Sequence, residues 1–103
     1  MSSAVKNLKL KITGIVQGVG FRPFIYSLAQ KNNLKGWVLN SSKGVEIEIS
    51  GFSADLDKFV ADMRNQTPPL ARIDRVLVEE VAPIPYENFS ILSSTHIPGD
   101  YGH

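Results

Sequence analysis

Three glycines and an arginine fall within Gly14-Ile15-Val16-Gln17-Gly18-Val19-Gly20-Phe21-Arg22-Pro23. Glycines let backbone N–H groups turn toward a ligand, because no Cβ stands in the way. If a helix opens at the end of this stretch, it adds unpaired N–H groups and the positive end of its dipole, a combination that suits an anion. Arg22 contributes a planar, permanently charged fork that matches phosphate oxygens two at a time. An arginine at a helix start opposes the dipole, a small local cost that serving an anion would explain. We read this stretch, Gly14 to Pro23, as a phosphate cradle. The competing reading is that the glycines only form turns.

One neutral side chain joins this set. Asn40 closes a short apolar segment and carries both an acceptor and two donors. Facing the cradle, it could hold a water in line with a bound phosphoryl group without adding charge. Asparagine is also common in hairpins, where it makes only a local turn, and that reading stays open at this point. Ser41, Ser42 and Lys43 read as turn residues, a serine hydroxyl being placed to support Asn40.

The elements that must position these residues follow from periodicity. Leu8, Leu10 and Ile12 alternate with Lys9, Lys11 and Thr13, the pattern of a half-buried strand. Phe21, Phe24, Ile25, Leu28 and Ala29 repeat at three and four, giving a helix that Pro23 enters in its first turn and Asn32-Asn33 end. Residues 36–40 read as a second strand, residues 40–44 as a turn, and Val45, Ile47 and Ile49 as a third strand. Together they make a hairpin. Ser53 is expected as the N-cap of a second helix carrying Leu56, Phe59, Val60 and Met63. Residues 75–81 read as a fourth strand whose buried face is ambiguous, and residues 88–92 as a short edge strand.

This order, βαββαβ, predicts an α+β fold: a ferredoxin-like two-layer sandwich with two helices on one face of an antiparallel sheet. The first and third strands would be neighbours at its centre, setting Lys9 and Lys11 against Glu46 and Glu48. The expected organisation is a tail over 1–7, a domain over 8–92, and a C-terminal tail or linker over 93–103.

Composition removes other classes. Net charge is +1 over 103 residues, with no electrostatic footprint for nucleic acid or an anionic membrane. RNA-binding domains of the same topology stack bases on aromatic residues of the central strands, whereas the outward positions here are Lys9, Lys11, Thr13, Glu46 and Glu48. Cysteine is absent, and His96 and His103 lie in the tail without companions, so no metal or other cofactor is expected. No segment reads as a leader or a membrane span, which points to the cytoplasm. The Gly-Lys-Ser/Thr ending of a Walker loop is missing, and Gly18-Val19-Gly20 lacks the third glycine of a dinucleotide fingerprint. Trp37, beside apolar neighbours, reads as packing.

Val16-Gln17-Gly18-Val19-Gly20-Phe21-Arg22, followed by Gly36-Trp37-Val38-Leu39-Asn40-Ser41-Ser42-Lys43-Gly44, resembles the paired signatures of the acylphosphatase family across roughly residues 8–92. The resemblance implies metal-free hydrolysis of an acyl phosphate. The loop amides of Val16 to Phe21 and Arg22 would hold the phosphate, and Asn40 would orient the water. Phe21-Arg22-Pro23-Phe24 and Pro68-Pro69-Leu70-Ala71-Arg72-Ile73-Asp74 add a finer resemblance, to the acylphosphatase-like domain of HypF-type carbamoyltransferases of hydrogenase maturation. That implies carbamoyl phosphate as substrate, inorganic phosphate as product and further modules of a parent chain as partners. A free-standing acylphosphatase and a non-catalytic anion- or effector-binding module are the alternatives.

Overall fold

Alternating apolar residues build β1 (Val5–Ile15), and the chain then passes through the glycine loop into α1 (Phe21–Lys31). β2 (Lys35–Ser41) and β3 (Gly44–Phe52) form the expected hairpin, and α2 (Ser53–Asn65) follows directly. β4 (Arg72–Val81) and β5 (Phe89–Ile91) complete the sheet. The structure, a computed structural model, describes residues 4–92. The expected tail over 93–103, with His96 and His103, lies outside them, as do residues 1–3. No helix of the described residues is long and apolar enough to cross a membrane.

The sheet order is β4-β1-β3-β2-β5, with β1 and β3 side by side at the centre as expected. Lys9 pairs with Glu48 and Lys11 with Glu46. Four strands are antiparallel, but β5 joins β2 in parallel, so the sheet is mixed rather than wholly antiparallel. Both helices cover one face, where Leu10, Ile12, Ile25, Ile47, Phe59 and Met63 lie at 1% exposure or less. Burying such side chains contributes about 1.5–3 kcal/mol each. The ambiguous face of β4 is settled by register. Val76 and Val78 stand opposite Ile12 and Leu10 on the helix side, and Leu77 stands opposite Lys11 on the other.

Two boundaries depart from the sequence reading. β1 opens at Val5, so residues 5–7, expected in the 1–7 tail, pair in the sheet, and Asn7 is completely buried. Ser53 is the first helical residue rather than the N-cap; Phe52, still extended, stands at the cap, and no side chain closes that end. The reason is the absence of a linker, since β3 ends at the residue where α2 must begin.

Asn7 is buried because residues 82–88 cross the face opposite the helices on their way from β4 to β5. Its Nδ2 donates to the Ile84 carbonyl at 3.2 Å and to Glu48 Oε2 at 3.0 Å. Trp37 Nε1 donates to the Tyr86 hydroxyl at 3.1 Å. Glu48, outward by alternation, is therefore only 6% exposed. Burial pushes the Tyr86 phenol above its ordinary value, and the neighbouring Glu48 carboxylate adds to this while the Trp37 N–H opposes it.

The pairing of β1 with β4 slips between Thr13 and Gly14: Thr13 faces Arg75 and Gly14 faces Ile73, so Asp74 is the extra residue and the bulge lies on β4. Gly14 has φ +137°, and a β-carbon there would overlap the Arg72 carbonyl oxygen. An extra residue bends the strand that carries it, here β4, opposite the last paired residues of β1 before the glycine loop.

Two measurements check this account. Gly14→Ala is expected to lower the urea midpoint well beyond Gly18→Ala. At Gly18 an added β-carbon meets nothing, and only the left-handed backbone costs, about 1–2 kcal/mol. Equal midpoints would show that the bulge tolerates a side chain. Tyr86, with its folded pKa raised, contributes stability that is complete below the unfolded value and is lost as pH rises through the folded one. The stability advantage of wild type over Tyr86→Phe should therefore shrink above about pH 10. A gap independent of alkaline pH would place the phenol in water.

Candidate active site

β1 and β2 both run antiparallel to β3, so they point the same way and end at one edge of the sheet. That edge gathers the glycine loop, which follows β1, and Asn40 and Ser41, which end β2. Val16 and Phe21, each 1% exposed, anchor the two ends of the loop in the core. Between them Gln17, Gly18 and Gly20 are exposed and Val19 is half-buried. Gly18 and Gly20 have φ of 73° and 78°, left-handed conformations that glycine adopts without steric cost.

None of the backbone N–H groups from Gln17 to Arg22 donates to another group of the described residues. The first helical bond runs from the Phe24 N–H to the Gly20 carbonyl at 3.2 Å, and Pro23, before it, has no N–H to satisfy. α1 has no side-chain cap and no acidic residue in its first turn. The positive end of its dipole is thus left uncompensated. Arg22, half-buried in that turn, has no carboxylate partner among the described residues.

Asn40 pairs with Val45 and so points to the helix-covered side of the sheet. Its Oδ1 is buried and, like Asn7 Oδ1 on the far face, has no hydrogen-bond partner among the described residues. A buried acceptor left unsatisfied costs about 1–3 kcal/mol, an expense that native proteins retain mainly where a ligand, water or reaction uses the group. The neighbouring Ser41 Oγ accepts from the Lys43 N–H at 3.3 Å, a turn contact rather than support for Asn40.

One contact at this edge was hidden in the sequence. Gln17 Nε2 donates to the carbonyl oxygens of both Ser41 and Gly44, each at 2.7 Å. The side chain of a residue selected only for its main-chain amide thus ties the loop to the β2–β3 hairpin. Nothing in its type or position separated it from any exposed glutamine. A cleft of about 250 Å³ between residues 14–17 and 42–44 marks this seam. A larger groove, about 780 Å³, lies across the hairpin beside Lys11, Glu46 and Arg75, and neither Arg22 nor Asn40 lines it. A cradle of main-chain amides is a shallow surface feature and needs no deep cavity. Trp37, buried and bonded to Tyr86, packs the opposite face and stands apart from this edge.

The acylphosphatase family profile matches residues 8–91. Carbamoyltransferase HypF of Rhizobium leguminosarum bv. viciae is 51% identical over 94 residues, which are 91% of this chain and 12% of that protein. An acylphosphatase of Thermotoga maritima is 41% identical over 88 residues, 84% of this chain and 97% of that protein. The crystal structure of full-length HypF in its phosphate- and nucleotide-bound form superimposes with a TM-score of 0.87 at 41% identity, over 91% of this chain and 13% of that one. The chain thus spans about an eighth of the length of the HypF proteins it matches and nearly the whole of a free-standing acylphosphatase. With sheet, loop and hairpin all inside the matched region, the chain belongs to the acylphosphatase family.

Proposed function

We propose that this chain is the acylphosphatase-like domain of a HypF-type carbamoyltransferase and hydrolyses carbamoyl phosphate to carbamate and phosphate. The observation that carries the proposal is the set of main-chain N–H groups from Gln17 to Arg22, left without acceptors at a helix start beside an unpartnered arginine. These groups, with the Arg22 guanidinium, hold the phosphoryl oxygens. Asn40, at the same edge with a buried and unpaired Oδ1, accepts a hydrogen bond from the attacking water and aims it at phosphorus. The water oxygen bonds to phosphorus, the bridging P–O bond breaks with its electron pair leaving on the carbamate, and the water protons end on phosphate. Phosphoryl transfer passes through a loose state whose charge spreads over the equatorial oxygens, so positioning and preorganised donors supply the catalysis. The carboxylate-type leaving group is good enough that the site works without a general base.

The choice of carbamoyl phosphate rests on the likeness to HypF, and the small acyl group makes it testable. A free-standing acylphosphatase reading is supported by the Thermotoga relative, matched over nearly its full length. The two separate on kcat/KM: this reading expects carbamoyl phosphate to be turned over at least as efficiently as the bulkier benzoyl phosphate. A strong preference for benzoyl phosphate would favour the free-standing enzyme.

Replacing Arg22 by alanine is expected to cost about 10²- to 10³-fold in kcat, the loss typical of one preorganised donor, and to weaken competitive inhibition by inorganic phosphate. Asn40→Ala should abolish turnover while that inhibition, or direct phosphate binding, persists. Normal turnover by Asn40→Ala would leave only an anion-binding module on this scaffold.

A further inference from the structure

Among the described residues, Gln17 makes side-chain bonds from the loop to the strand pair that carries Asn40, and we infer that it is a positioning residue that sets the spacing between bound phosphate and the Asn40 carboxamide. The inference rests on the function proposed above and adds to it a residue whose side chain does not touch the reacting atoms.

The geometry is specific. One nitrogen with two hydrogens spends both of them on main-chain carbonyls of the other element, Ser41 and Gly44, at 2.7 Å each. Ser41 adjoins Asn40, and Gly44 follows the turn, one residue before Val45, the cross-strand partner of Asn40. Both acceptors are thus within one residue of the pair that fixes where Asn40 points. At the donor end, Gln17 lies between the buried anchor Val16 and the left-handed Gly18, at the start of the run of free N–H groups. Phosphate is held by the loop and the water by the strand, so their mutual distance depends on what joins those two pieces at this edge. A misplacement of about 1 Å between reacting groups costs on the order of 10²-fold in rate. Gln17 is exposed and lies outside the hydrophobic core. Its contribution is therefore the paired donation rather than packing.

Gln17→Met tests this directly, because it keeps length and apolar volume and removes both donors without adding charge. kcat is expected to fall about 10- to 100-fold, with inhibition by inorganic phosphate and the urea midpoint nearly unchanged. Introduced into Asn40→Ala, the same change should leave any residual turnover of that variant unaltered, since the group it positions is gone; a further loss of about 10- to 100-fold from that residual rate would overturn the inference. A second readout does not need turnover. Inorganic phosphate added to the ¹⁵N-labelled chain should shift both the loop amides and the Asn40 side-chain NH₂ in wild type, but only the loop amides in Gln17→Met. An Asn40 response identical in the two proteins would likewise overturn it. If Asn40→Ala abolishes turnover while Gln17→Met is fully active, the positioning role fails and the proposed function stands. If Asn40→Ala is fully active, or phosphate perturbs neither group in wild type, the proposed function fails and takes this inference with it.

Discussion

The position of β1 governs the rest of the structure. It is hydrogen-bonded on both flanks, to β3 over Val5–Ile12 and to β4 over Asn7–Ile15. Its pairing with β3 stops at Ile12. Gly14 and Ile15 stay paired with β4 beyond the bulge at Asp74, Gly14 lying against the Arg72 carbonyl, before the chain turns out of the sheet. The turn converts backbone that had been paired into backbone with free N–H groups, immediately before a helix whose own first N–H groups are also free. The run of free N–H groups at this edge is therefore a product of where the central strand stops.

Asn40 and the loop show how stability and chemistry are divided. Val16 and Phe21 are sunk in the core, so the loop cannot drift, while the residues between them stay in contact with solvent. Exposed N–H groups bonded to water cost little and lose little when an anion replaces that water. Asn40 differs because its oxygen is buried without a partner. Its environment is thus least satisfied in the absence of a ligand. The Gln17 amide is what makes the two pieces a single unit at this edge.

The far face of the sheet carries a different polar set with no part in this chemistry. Asn7, Glu48 and Trp37 lie beneath residues 82–88, and Asn7 and Trp37 hold that segment down through bonds of 3.1–3.2 Å to Ile84 and Tyr86. A buried network of this kind specifies one path for the chain from β4 to β5, because another path would take away the acceptors that Ile84 and Tyr86 offer to Asn7 Nδ2 and the Trp37 N–H. By this route β5 reaches the far edge of the sheet, where it covers β2. At the opposite edge β4 remains open, and Arg72, Asp74, Arg75, Glu79 and Glu80 supply the charges that discourage further pairing.

Periodicity along the sequence determined the two helices, the four long strands and the pairing of the first strand with the third. It did so because one face of each element is apolar at its own repeat, and burial selects that register. The glycine spacing and Arg22 marked the loop for local reasons: glycine alone takes left-handed backbone freely, and a cation at a helix start is costly without an anion. What tertiary structure alone decided are the contacts between residues far apart in sequence. Asn7 looked like tail because it is polar, and only the covering segment makes it core. Glu48 looked solvent-facing by alternation for the same reason. Gln17 looked like any exposed glutamine until the hairpin brought two carbonyl oxygens to its amide. A polar side chain carries no periodic signal of the partner it will meet, since that partner exists only once the sheet has assembled.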